Sequence, residues 1–242
     1  FRRVLFRSVE IEQGIIEDAV VSVVGDGDVV QEIVDGEPWL FLASLHQAEV
    51  GLAKSVHRLA SATPHPLPNI DVTKAITWVE QQLGINLAAG QQEAIRQACE
   101  HKLLVITGGP GVGKTTLVRS ILEIFSAKKL KCVLTAPTGR ATKRLAETTD
   151  RTAKTIHRLL EFDPATGDFK RNRHRPLAGD LFVVDETSMV DVVLGHQLLR
   201  SIPSTACVVL VGDADQLPSV GPGSVLADLI GSDVVPVVRL TE

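Results

Sequence analysis

Short, wholly apolar runs alternate along this chain with longer stretches in which apolar residues recur at helical spacing, and polar clusters sit where one gives way to the other. Residues 103–106 (Leu-Leu-Val-Ile) are stopped by Thr107, Gly108 and Gly109, the pattern of a strand buried on both faces. Behind them Leu117, Ile121 and Phe125, with Val118 and Leu122 beside them, predict one apolar face of a helix. Residues 132–136, 181–184 and 206–211 read as three more buried strands. After the strand at 132–136 the pattern predicts a helix carrying Lys143, Arg144 and Leu145, and then continues helically over 155–161.

Upstream the pattern changes. Residues 13–24 predict a helix, and 29–34 with 38–42 predict a hairpin turning at Asp35-Gly36. A second helix over 44–59 places Leu45, Ala48, Leu52, Val56 and Leu59 on one face. Pro64, Pro66 and Pro68 then deny backbone donors and favour extended chain, which marks 61–70 as a linker. Amphipathic segments at 72–83, ended by Gly84, and at 91–99 lead into the first buried strand. The first eight residues, Phe-Arg-Arg-Val-Leu-Phe-Arg-Ser, resemble the translated end of a sequencing adapter and are set aside as a scar. The layout expected is therefore a scar at 1–8, a winged-helix-like, helical module at 9–60, a proline-rich linker at 61–70 and an α/β domain at 71–242, its parallel sheet flanked by helices.

The bulk numbers alter this picture in two places. Formal net charge is only −4, yet residues 102–175 hold 16 Lys and Arg against 6 Asp and Glu. Residues 9–50, by contrast, hold ten acidic residues and no Lys or Arg, unlike a surface that grips phosphate. Cys99, Cys132 and Cys207 are widely spaced and show no metal-ligand pattern, so they read as buried thiols of a reducing, cytoplasmic compartment. No apolar run approaches the roughly 18 residues of a membrane span, and no cleavable signal peptide is visible.

The polar clusters carry the chemistry. Gly108-Gly109-Pro110-Gly111-Val112-Gly113-Lys114-Thr115-Thr116 fits G-x-x-x-x-G-K-[ST] between a strand and a helix, the order in which that motif wraps a nucleotide triphosphate. Its glycines let backbone N–H groups close on phosphate oxygens, Lys114 adds a point charge, and the Thr115 hydroxyl can hold Mg2+. Asp185, after four apolar residues, is placed to be the metal partner of Thr115, and Glu186 to be the general base that orients the attacking water. Gln216 can hydrogen-bond a terminal phosphate or that water without adding charge. If the strands form one parallel sheet, all these clusters fall on its carboxyl edge, where ligands bind.

The ordered blocks Gly-Gly-Pro-Gly-Val-Gly-Lys-Thr-Thr, Ala-Pro-Thr-Gly-Arg-Ala, Thr-Ile-His-Arg-Leu-Leu, Val-Val-Asp-Glu-Thr-Ser-Met-Val-Asp and Gly-Asp-Ala-Asp-Gln-Leu-Pro-Ser-Val-Gly-Pro-Gly resemble the motifs of superfamily 1 helicases, most nearly the RecD-like 5′-to-3′ DNA helicases of stand-alone type. The resemblance implies a RecA-like motor domain, ATP and Mg2+ as cofactors, and single-stranded DNA as partner. It further implies that Gln91 reads the adenine edge, that Pro137, Thr138, Gly139 and Arg140 lie under the strand, that Thr155 and His157 touch it, and that Gln216 couples phosphate state to domain movement. The basic excess, including Lys170, Arg171, Arg173 and Arg175, would then track phosphates. Relatives continue past Glu242 into a second motor domain that supplies an arginine finger, so the chain is expected to be a fragment that binds Mg·ATP weakly and cannot unwind a duplex alone. Asp150 stands where relatives carry a small turn residue. Two alternatives stay open: the helicase portion of a conjugative relaxase, and a non-catalytic nucleic-acid-binding module. For the acidic module, contact with a protein partner is favoured over direct DNA binding.

Overall fold

The computed structural model describes residues 12–241, so residues 1–8, expected to be a scar, lie outside the described residues. Contacts divide the chain into two units that meet between Val50 and Gly51.

The smaller unit opens with α1 (Gln13–Gly25), followed by β1 (Val29–Val34) and β2 (Glu37–Leu42), an antiparallel pair in register from Val29↔Leu42 to Val34↔Glu37. The two-residue turn has Asp35 at φ 53° and Gly36 at φ 80°, the doubly left-handed turn whose twist suits a tight hairpin. His46, in the first turns of α2 (Ala43–Ser61), meets the Glu32 carboxylate through Nε2 at 2.8 Å and packs on the Phe41 ring. Ile33, Trp39, Leu40 and Leu42 are all exposed.

The larger unit is built on six parallel strands in the order β10-β3-β9-β8-β4-β5. Here β3 is Leu103–Gly108, β4 Cys132–Ala136, β5 Ala153–Thr155, β8 Leu181–Val184, β9 Cys207–Gly212 and β10 Val237–Leu240. The helices are α3 (Val72–Leu83), α4 (Ala89–Glu100), α5 (Lys114–Ala127), α6 (Gly139–Thr149), the single turn α7 (Ile156–Leu159), α8 (Val192–Ser201) and α9 (Val225–Gly231). β8 and β9 are apolar or glycine throughout, and β3 is so apart from Thr107, because helices cover both faces of a parallel sheet. Leu117, Ile121, Leu122 and Phe125 of α5 are essentially inaccessible and pack in one core with Leu104, Ile106, Val183 and Val209. α3 shows why the helix boundaries were legible: Asp71 accepts from the Lys74 amide at its start, and Gly84, at φ 65°, ends it.

Three expectations are corrected. The stretch at 61–70 is not a free linker: Leu67 is buried, and His65 accepts from the Leu67 amide, reaches the Cys207 sulfur through Nε2 at 3.0 Å and packs near Phe125. Prolines forbid a helix there but do not prevent packing, and burying Leu67 returns apolar area to the core. Residues 155–161 are not one helix; Ala153–Thr155 pairs with β4, and after α7 the chain forms a small hairpin of β6 (Phe162–Asp163) and β7 (Asp168–Phe169). Of the three cysteines only Cys207 is buried, while Cys99 and Cys132 are partly accessible.

Candidate nucleotide and nucleic-acid site

Every strand of the sheet is parallel, so every polar cluster ends on one edge, and strand order sets who neighbours whom. β3 delivers the glycine loop, β9 Asp213 to Gln216, β8 Asp185 and Glu186, β4 Pro137 to Arg140, and β5 Thr155 to His157.

The glycine loop runs from the end of β3 to Gly113, which caps α5 in the left-handed conformation (φ 75°), as Gly111 does within it (φ 84°). Gly108 lies in register with Leu240 of β10, and a Cβ there would fall 2.6 Å from the Leu240 carbonyl. The Lys114 ammonium is drawn into the loop, donating to the carbonyls of Gly108 at 2.5 Å and Gly109 at 2.6 Å. Among the described residues no hydrogen bond uses the Thr115 hydroxyl. Gln91 is buried at the start of α4: its Oε1 accepts from the Ala88 amide at 3.0 Å, and its Nε2 reaches the Gly113 carbonyl at 3.5 Å. The residue expected to read the base therefore stands against the loop expected to hold the phosphates.

Beyond β8 the Asp185 amide donates to the Thr135 carbonyl, and Asp185 Oδ1 accepts from the Glu186 amide at 2.9 Å. Burial, with the Glu186 charge as a smaller contributor, pushes the Asp185 carboxyl up from its ordinary value, against the opposing pull of the Glu186 amide hydrogen bond and, more weakly, of Arg144 and Lys114. Glu186 adopts a left-handed backbone (φ 53°, ψ 42°), uncommon for a residue other than glycine. Its Oε1 faces Arg144 Nη1 of α6 at 3.9 Å. Ser188, one turn on, has a buried hydroxyl without a hydrogen-bond partner among the described residues.

The sequence reading singled out Gln216 but missed what holds it. Gln216 Nε2 donates to Asp213 Oδ2 at 3.2 Å, and Asp213 Oδ1 accepts from the Asp215 amide at 3.1 Å. Thr107, a polar interruption in an apolar strand, accepts from the Ala214 amide at 3.2 Å and ties this turn to β3. That interruption was the available signal.

On the outer strands Thr138 and Thr155 both act as helix caps, Thr138 Oγ1 accepting from the Ala141 amide at 3.2 Å and Thr155 Oγ1 from the Arg158 amide at 3.3 Å. Arg140 and His157 are exposed. His157 lies 5.7 Å from Phe162 and 5.6 Å from Phe169, ring centre to ring centre, in a small aromatic cluster on the β6–β7 hairpin. The basic stretch beyond it is largely neutralised from within: Lys170 pairs with Asp163 at 3.1 Å, and Arg171 and Arg175 both pair with Glu161. Of the four residues expected to track phosphates, three are thus held by the hairpin's own carboxylates.

A phosphate-binding loop on the carboxyl edge of a parallel sheet, with an Asp-Glu pair on a strand one removed, defines the class as a P-loop nucleotide-binding domain of RecA-like architecture. A family model described as an AAA domain matches residues 91–222, and the chain belongs to that family. It is 37% identical over 208 residues to the ATP-dependent RecD2 DNA helicase of Deinococcus radiodurans, a match covering 86% of this chain and 28% of that protein. It is 40% identical over 163 residues to the RecBCD enzyme subunit RecD of Mycobacterium tuberculosis, covering 58% of this chain and again 28% of the relative. Among solved structures the Pif1 helicase of Candida albicans superposes with a TM-score of 0.50 at 25% identity, over 65% of this chain and 40% of that one. The chain thus spans little more than a quarter of the length of these two curated relatives. No helix among the described residues is long and apolar enough to cross a membrane.

Proposed function

We propose that this chain is the ATP-binding motor domain of a RecD-like superfamily 1 DNA helicase, a cytoplasmic enzyme that couples ATP hydrolysis to 5′-to-3′ movement along single-stranded DNA. One observation carries the reading. Across five neighbouring strands in the order β3-β9-β8-β4-β5, the first three end in nucleotide chemistry and the last two in capped helix starts suited to a phosphate backbone.

In this reading Gly108 to Thr116 wrap the phosphates and Lys114 turns from the loop carbonyls to the terminal phosphates. Gln91 meets the adenine edge, and Glu186 takes a proton from the attacking water. Gln216, held by Asp213, senses the terminal phosphate. Mg2+, held by the uncommitted Thr115 hydroxyl and by Asp185, would neutralise charge on the phosphate oxygens. The donor set fits a hard cation: both ligands are oxygens, and among the described residues Asp185 Oδ2 accepts no hydrogen bond while Oδ1 accepts from one backbone N–H. Pro137, Thr138, Gly139, Arg140, Thr155 and His157 line the path of the strand. The arginine finger comes from a second motor domain. The acidic N-terminal unit, with Trp39 and Leu40 exposed, suits contact with a protein partner.

Anisotropy titration of a fluorescent single-stranded oligonucleotide, with and without Mg·ATP, tests this. The motor reading expects salt-sensitive binding whose affinity changes with nucleotide. Binding that ignores nucleotide would instead assign the chain to the non-catalytic class.

A further inference from the structure

The ion pair between Arg144 and Glu186 joins the two halves of the edge. Arg144 belongs to α6, the helix that begins at the β4 cluster, while Glu186 follows β8. Arg144 stands four residues after Arg140, so the two share one face of α6 about 6 Å apart along the axis. Among the described residues this is the only ion pair of the Glu186 carboxylate. Its length of 3.9 Å and the 70% exposure of the Arg144 side chain make it a weak contact, one that a phosphate could displace. An arginine can meet a phosphate in a planar, two-bond geometry that the observed approach to Glu186 lacks.

We propose that Arg144 is a positioning residue that exchanges partners. Without nucleic acid it holds the Glu186 carboxylate toward α6; with a strand on the first turn of α6 it swings to a phosphate and releases Glu186 to face the water. The inference rests on the helicase reading, since it needs both a strand site and a catalytic Glu186. Linkage makes it reciprocal: whatever removes Glu186 from Arg144 must strengthen strand binding through Arg144.

The test is a double-mutant cycle on this chain, read by anisotropy with a labelled oligothymidylate at low salt without nucleotide. Wild type, Glu186→Gln, Arg144→Ala and the double variant are compared, with Arg144→Lys as the charge-conserving control. Lys143→Ala, which removes a like charge from the same helix where Lys143 pairs with Glu147, controls for charge loss alone. Glu186→Gln should tighten binding by about two- to fivefold, the range open to an exposed ion pair. That gain should vanish in the Arg144→Ala background and persist in the Arg144→Lys background. An equal gain in both backgrounds would mean that Glu186 only repels phosphate, and the inference fails. Equal weakening by Arg144→Ala and Lys143→Ala would also overturn it. If wild type binds no strand at all, the helicase reading falls and takes the inference with it; binding without coupling removes the inference alone.

Discussion

The side-chain amide of Gln91 lies so close to Gly113 that a Cβ on the glycine would stand 2.2 Å from Gln91 Nε2. Gly113 also sits at φ 75°, so an alanine there meets two penalties, a left-handed backbone costing about 1–2 kcal/mol and a displaced glutamine. Gly111, at φ 84°, has nothing within 4 Å of its would-be Cβ and meets only the first. Gly113→Ala should lower Tm more than Gly111→Ala and weaken adenine nucleotides more than a bare triphosphate. At about 2–4 °C per kcal/mol for a chain of this size, calorimetry resolves the difference. Equal losses from the two variants would remove Gln91 from the nucleotide site.

Lys114→Ala and Glu186→Gln should fail in different ways. The first removes the charge held in the loop and is expected to cost nucleotide affinity at least tenfold, with the fold intact. The second keeps shape and hydrogen-bonding capacity and should leave nucleotide binding near wild type while ATP turnover falls at least a hundredfold, about the size of a general-base contribution. A binding titration beside a phosphate-release assay separates the two.

Asp185 should be stability sacrificed for chemistry. Its carboxyl is pushed up mainly by burial, so the fold favours the protonated form over what the unfolded chain allows. Stability from that preference is full below the unfolded carboxylate pKa and is lost as pH rises through the raised folded value. In metal-free buffer Asp185→Asn is therefore expected to raise Tm at neutral pH, with the advantage shrinking on acidification. Thermal melts across the acidic range check it, and an advantage that grew as pH fell would refute it.

Removal from water, only partial at Cys99, pushes the thiols of Cys99 and Cys207 up to about 12. Since the thiolate is the nucleophile, both should resist iodoacetamide at neutral pH in the folded chain and react readily once denatured. Mass spectrometry of the alkylated protein reads this directly.

Thr138→Ala should cost about 1 kcal/mol through loss of the cap on α6, whereas Thr138→Ser should keep it. Strand affinity measured alongside Tm distinguishes a cap that also serves the strand from one that serves the helix alone.

Much of the edge was legible because its determinants are local. Four apolar runs ended in polar clusters, and burial on both faces forces such runs to be continuous. β5 and β10 were missed because their evidence is not local: Ala153–Thr155 offers a single apolar residue, and Val237–Leu240 is four residues at the sheet's edge, interrupted by Arg239. Both become strands only when a neighbour supplies the ladder. The pairing within 161–175 was hidden for a similar reason, because Glu161 and Asp163 fold back on the lysine and arginine residues that follow them. Of the candidate site, the residues singled out by motif spacing gather on one edge of the sheet, while Asp213, whose partners Asp215 and Gln216 lie in its own turn, and Arg144, whose partner Glu186 comes from tertiary proximity, were not assigned a role.

The ladder between β8 and β4, from Cys132↔Leu181 to Thr135↔Val184, is where the two halves of the edge are sewn together. Neighbouring strands lie about 4.8 Å apart, so in the proposed reading the nucleotide and strand sites are separated by one seam of peptide hydrogen bonds. A stiff sheet cannot stretch across so short a span; it can only slide or tilt the elements hung from it. If the proposed function holds, work would leave the nucleotide side as a small rotation of α6, and slackening that seam should uncouple nucleotide turnover from strand binding.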